Sequence, residues 1–278
     1  MNRFLLVLLA VAPLSAQPVL SLPAAPGRAT TGRVRIHSGR QETTFAASAA
    51  AEQGVFARVM AGGGWQTTLV LMNTGSTAVP FRQFFWDGDG NPRDFPVAGQ
   101  PDDAPLVTSA LQSTLYPNSS MNLVLPDNGS GLQEGWSSLS YDPALGTVGG
   151  YAVIRHQGLA GATFEATVPL SNMQDFSLRM PFDNTSGYRT QLTLVNPVSN
   201  LAAQVALTYL NAKGVIVLID AVNLNPGQQM TIVLPDTYPD LANKTGTVAI
   251  EGNLDHLSVF GMRYSAAYGA IAAIPLVN

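Results

Sequence analysis

"LYPNSSMNLVLPD", Leu115 to Asp127, is matched by "LNPGQQMTIVLPD", Leu224 to Asp236, with Leu, Pro, Met, Val, Leu, Pro and Asp at the same spacing. Self-similarity of this kind decides the architecture before any motif does, because each repeat must be one structural unit. Upstream, "WQTTLVLMNTGSTA" from Trp65 pairs with "YRTQLTLVNPVSNL" from Tyr188 and superposes Leu69 on Leu192, Leu71 on Leu194 and Asn73 on Asn196. Downstream, "YAVIRH" (Tyr151 to His156) is aligned with "VFGMRY" (Val259 to Tyr264), and "TVPLS" (Thr167 to Ser171) with "AIPLV" (Ala273 to Val277). The chain therefore reads as two copies of one unit, expected at residues 54–172 and 173–278.

Within each copy, apolar and polar residues alternate over short runs, as in Thr68 to Leu71 and Thr190 to Leu194, with turn residues between the runs. Such runs predict seven or eight strands per unit, with Leu71 and Leu194 at equivalent buried positions. Helical periodicity is confined to a single turn at Tyr238 to Asn243 and to the Ala-rich Phe45 to Gln53. Evenly spaced short strands over about 110 residues predict an all-β chain of two tandem immunoglobulin-like antiparallel β-sandwiches, without the cysteine and tryptophan pattern of antibody domains.

The 278 residues are 46% hydrophobic and only 12% charged, so burial rather than ion pairing must hold both cores. A net charge of -4 argues against nucleic acid, which needs a basic face to displace counterions. Without cysteine there is no disulfide and no N-terminal lipid attachment. The N-terminus carries Arg3, an apolar run from Phe4 to Val11, and a small-residue exit at Ser15 and Ala16. That pattern predicts a signal peptide at 1–16 and a secreted, extracellular or cell-surface protein with no permanent membrane anchor. Residues 17–53, with Arg28, Arg33, Arg35 and Arg40, read as a flexible leader; "RVRIH" (Arg33 to His37) could alternatively add a strand to a neighbouring subunit.

"DGDGN", Asp87 to Asn91, resembles the start of a calcium loop, but its counterpart "NAKGV", Asn211 to Val215, has no acid. Pro92 and Ala98 also stand where such a loop needs glycine and glutamate, so both segments read as hairpin turns and no metal or cofactor is expected. His37, His156 and His256 have no second ligand at metal spacing. Asp127 with Glu134, or Glu165 with Asp175, could serve as the carboxylate pair of a glycosidase, but Asp127, repeated as Asp236, reads better as a turn residue receiving backbone N–H groups. No catalytic residue is assigned.

Trp65 and Tyr188 occupy equivalent positions after a glycine turn and predict a plug at one end of each sandwich. "PFRQFFW" places Phe81 and Phe85 on one face of a strand and Phe84 and Trp86 on the other, so the second face must be covered or must bind something. The first unit alone carries an acidic, proline-bearing insertion, Arg93 to Leu106, expected as a surface loop that the sandwich does not need. Phe84, Trp86, Asp94, Asp102 and Asp103 are accordingly the candidate partner contacts.

"GGGWQTTLVLMNTGST", "DGDGNP", "GYAVIRH" followed by "FEATVPLS", and "PFDNTSGYRTQLTLVNP" together resemble a functionally uncharacterised family of secreted bacterial proteins with tandem immunoglobulin-like repeats, over Val55 to Asn278. More distantly the units are similar to cell-adhesion-related bacterial repeats. The resemblance implies a fold and an extracellular address, and by analogy adhesion. The expected function is non-enzymatic extracellular binding, adhesion or surface structure toward a protein or glycan. The alternatives are a filament or matrix subunit assembling through its N-terminal segment, and a carbohydrate-binding accessory module.

Overall fold

The computed structural model describes residues 52–99, 104–158, 161–171, 177–254, 257–265, 267 and 269–277. The expected signal peptide, the leader up to residue 51, and His37, His256, Asp102, Asp103 and Asp175 lie outside the described residues. In the first unit the strands are β1 (Glu52–Ala61), β2 (Trp65–Asn73), β3 (Val79–Trp86), β4 (Phe95–Val97), β5 (Leu106–Thr108), β6 (Ala110–Leu115), β7 (Ser119–Leu125), β8 (Gln133–Tyr141), β9 (Val148–Gln157) and β10 (Thr163–Pro169). The second contains β11 (Ser177–Asp183), β12 (Tyr188–Val195), β13 (Ala203–Asn211), β14 (Ile216–Leu224), β15 (Gln229–Val233), β16 (Thr245–Gly252), β17 (Ser258–Ser265) and β18 (Ile271–Ile274).

The fold is all-β, and its sheets are antiparallel. In the first unit the orders are β1-β8-β3-β6 and β10-β9-β2-β7. In the second they are β11-β16-β13-β14 and β18-β17-β12-β15, the same orders element for element. Alternation explains the sheets: Leu69, Leu71, Phe81, Phe85, Leu139 and Ile154 point into the first core, and Leu192, Leu194, Val205, Leu207 and Ile250 into the second. Each unit closes one side in the same way. Val55 and Ser171 exchange backbone hydrogen bonds of 2.9 Å, and Arg179 and Val277 exchange bonds of 2.7 and 3.0 Å.

The repeat extends to hydrogen-bond networks. Buried Asn73 donates through Nδ2 to the carbonyls of Thr77, Leu115 and Tyr116, and its Oδ1 accepts from the Gly75 N–H. Asn196 does the same toward Leu201, Leu224, Asn225 and Val198. Thr67 Oγ1 donates to the Met60 carbonyl and accepts its N–H; Thr190 repeats this with Asp183. Gly135 and Gly246 are equivalent too: a Cβ on either would collide with a cross-strand carbonyl, that of Trp86 or of Leu210.

One sequence alignment is corrected. Leu71 pairs with Gly150, whereas Leu194 pairs with Val259, so Val259 corresponds to Gly150 and not to Tyr151. Tyr151 is 38% exposed and faces outward, while Val259 is 5% exposed and faces the core. The similarity of "YAVIRH" to "VFGMRY" is out of step by one residue, which in a strand exchanges the two faces.

The insertion also differs from expectation. Phe95, Val97 and Ala98 are buried; Ala98 exchanges backbone hydrogen bonds of 2.8 Å with Val124 of β7, and Phe95 packs on Phe85 with ring centroids 5.7 Å apart. The second unit covers the equivalent side from another connection. There a helical turn α1 (Leu234–Thr237) and a 3-10 turn at Pro239–Leu241 begin four residues before the expected turn, bury Leu234 and Leu241, and set Tyr238 5.0 Å from Tyr209. Phe85 and Tyr209 hold the same place on β3 and β13, so the two units cap the same core aromatic by different loops. The stretch Phe95 to Ala98 of the insertion is thus part of the packed first unit and not an optional surface loop.

Candidate functional site

On β3 the alternation leaves Phe84 and Trp86 half-buried on the outer face while Phe81, Gln83 and Phe85 enter the core. The β3–β8 register sets Trp86 opposite Trp136 and Phe84 opposite Ser138. The two indoles stack with centroids 5.5 Å apart at 21°, Phe84 lies 6.0 Å from Trp86, and Trp86 Nε1 donates to Ser138 Oγ at 3.0 Å. These contacts form an aromatic row with one hydroxyl beside it, the chemistry that suits a sugar face or an apolar protein patch.

Trp136 is nearly fully buried, and its Nε1 donates to the Gly227 carbonyl in the second unit at 3.0 Å. The row therefore ends at a seam between units. Gln229 donates through Nε2 to the carbonyls of Ala57 and Gly135, and its backbone N–H to Gly88. Buried Arg58 pairs with Glu134 at 2.8 Å and reaches Thr193 Oγ1 at 3.4 Å. Burial pushes its guanidinium below its ordinary pKa, and Glu134 opposes that shift.

The "DGDGN" turn abuts the same seam. Asp87 Oδ1 accepts the N–H groups of Asp89 and Asn91, just as Asn211 Oδ1 accepts those of Lys213 and Val215. Gly90 and Gly214 both take positive φ, 84° and 76°. The turn reading thus holds in both copies, with an Asn doing in one the work of an Asp in the other.

Of the candidate contacts, Phe84 and Trp86 come together; Asp94 is exposed beyond Arg93, which lies over the Phe95 ring at 5.8 Å; Asp102 and Asp103 lie outside the described residues. Of the carboxylates considered for catalysis, the three among the described residues have structural partners. Asp127 accepts the N–H groups of Gly64 and Gly129, Glu134 pairs with Arg58, and Glu165 with Arg155 at 2.7 Å. Asp236 departs from the turn reading: it lies in α1 and accepts from Arg189 at 2.6 Å. Trp65 stacks on His156 at 4.1 Å, whose Nδ1 lies 3.2 Å from the Gly269 carbonyl, and Tyr188 lies under Arg263 at 3.7 Å.

Sequence reasoning missed Trp136 and Arg58. The signal for Trp136 was its place in "GWSSLS" facing "FFW", visible once the β3–β8 register is known; Arg58 had none, since its partners come from two distant strands. Comparison of the chain with protein-family models, curated proteins and solved structures finds no match.

Proposed function

We propose that the chain is a secreted, non-enzymatic extracellular binding or adhesion protein whose contact surface centres on Phe84 and Trp86. The observation that carries this reading is the half-buried aromatic row on an outer sheet face, held rigid by the Trp86–Trp136 stack and the Ser138 hydrogen bond. Consistent with it, Asp127, Glu134 and Glu165 are engaged by arginines or backbone N–H groups.

Each unit is read here as an immunoglobulin-like sandwich with two strands exchanged. Counting the eight strands common to both units, with β4 and β5 of the insertion left out, the second strand pairs with the fifth and the third with the sixth, as B with E and C with F in immunoglobulin domains. The first strand, however, joins the sixth and the seventh joins the second, each on the opposite sheet from its immunoglobulin place. The resemblance to secreted tandem repeats supports the same architecture and address.

The test is binding of the wild-type chain and of Trp86→Ala to arrays of glycans and of extracellular matrix proteins. A ligand retained by wild type and weakened at least about tenfold, roughly 1.4 kcal/mol, in a variant of unchanged melting temperature supports the site. Equal binding by Trp86→Ala removes it.

A further inference from the structure

The seam joins two unlike faces, and the repeat supplies each of them twice. On the first unit it uses β1, the end of β8 and the β3–β4 turn. There Trp136 Nε1 donates to Gly227, and the Gly88 and Gly135 carbonyls accept from Gln229. Gly90 and Gly227 approach so closely that a Cβ on Gly90 would stand 2.8 Å from the Gly227 carbonyl carbon. On the second unit the seam uses the outer face of β12 and β17, where it covers Val195, Phe260 and Met262. A chain of two units therefore keeps one further face of each kind, one per unit.

Both are open. On β2 and β9 Val70 stands opposite Tyr151 and Thr68 opposite Val153, as Thr193 stands opposite Phe260 and Gln191 opposite Met262 on β12 and β17. Val195 and Phe260 are at most 2% exposed, whereas their counterparts Met72 and Tyr151 are 36% and 38% exposed. The outer face of an antiparallel sheet is ordinarily polar where it meets water, but this one carries Val70, Met72, Tyr151 and Val153. In the second unit, the place that Trp136 and the Gly227 turn fill in the seam is an open pocket of about 520 Å³. Thr247, Gly246 and Gly214 line it where the first unit has Trp136, Gly135 and Gly90.

We propose that a second copy of this chain seats its β2–β9 face on the β11–β16 end of the second unit, repeating the seam between molecules and assembling the chain head to tail. Continuity with the interface inside the molecule selects this occupant, because the counterparts of the two open faces already close on one another. The docking turns agree as well. Asn118 and Gly227 are equivalent, take positive φ of 50° and 75°, and donate their N–H groups to the equivalent carbonyls of Gly75 and Val198. Asn118 adds a side chain to that turn, and Thr247 in place of Trp136 leaves the pocket to receive it. The equivalences also set Ser120, at the place of Gln229, beside Ala212, at the place of Gly88. Since the two faces differ, every joint leaves one of each exposed and growth is open-ended.

The assembly does not depend on the aromatic row at Phe84 and Trp86. Sedimentation velocity of the full chain over a concentration series is expected to show species larger than a dimer that grow with concentration. Tyr151→Lys, with a charge in the apolar face, and Thr247→Lys, with a charge in the pocket, are each expected to stay monomeric at unchanged melting temperature. Mixed one to one, the two variants are expected to form a dimer and nothing larger, because each keeps one intact face. In a chain without cysteine, Ser120→Cys combined with Ala212→Cys is expected to give a ladder of cross-linked copies under mild oxidation. A chain that stays monomeric or stops at a dimer, a mixture no larger than its components, or a double-cysteine variant without a ladder overturns the proposal. So does a monomer in which Met72→Cys is shielded from a thiol reagent, which would give the face to a segment of the same chain.

Discussion

The residue that most economically explains each unit is its buried asparagine. Asn73 and Asn196 each ties one strand end to three carbonyls, so Asn73→Ala and Asn196→Ala are each expected to cost about 2 to 4 kcal/mol in chemical denaturation. The equivalence of the two residues was legible, because the repeat superposed them; their hydrogen-bonding role was not, since the carbonyls they bind come from a turn and a strand end placed only by the fold. Gln83 was not legible as strained, since only the observed register shows that it stands where the second unit has Leu207. Its Nε2 donates to Ser137 Oγ at 2.6 Å, but its Oε1 is buried without a partner among the described residues. Ser137 keeps its own bond to the Phe84 carbonyl when the glutamine is removed. Gln83→Leu is therefore expected to raise the unfolding free energy by about 1 kcal/mol.

At the scale of elements, the sequence shows strands well and their cover poorly. Alternation is local and marks β2, β3, β12 and β13 directly, whereas the one-residue slip in β9 against β17 arises because similar residues recur on both faces of a doubly buried strand. Capping depends on which loop happens to reach a core aromatic, and two unrelated loops solve it. Replacing Arg93 to Leu106 by the short turn of the second unit is accordingly expected to uncover Phe85 and destabilise the fold, not to leave a neutral variant; Phe95→Ala alone is expected to cost about 3 to 5 kcal/mol. In the other cap, burial first, then the 2.6 Å hydrogen bond to Asp220, push the Tyr238 hydroxyl up to about 12. A phenol raised above its unfolded value favours the fold fully below about pH 10. Its contribution is lost as pH rises from there through the folded value, so Tyr238→Phe is expected to flatten the alkaline fall in stability over that window.

For the whole molecule, the second unit's sheet of β12, β15, β17 and β18 is covered on both faces. Leu192, Leu194 and Val259 turn to their own core, while Val195, Phe260, Met262 and Ile271 join the core cluster of the first unit. Gln191 and Thr193 are buried between them, with Arg58, Trp136 and Gln229 supplying the polar contacts across the seam. A repeat in sequence suggests two independent folding units, but apolar side chains shared between cores couple their unfolding, because separating the units would return those side chains to water. Leu71→Ala and Leu194→Ala remove fully buried side chains from different cores, each at an expected cost of about 2 to 5 kcal/mol. If the seam couples the units, calorimetry of either variant shows one transition moved down as a whole, and the second unit expressed alone has a lower melting temperature than the full chain. Two resolved transitions, with each substitution moving only its own, would show that the seam is an adherent contact and that the repeats fold separately.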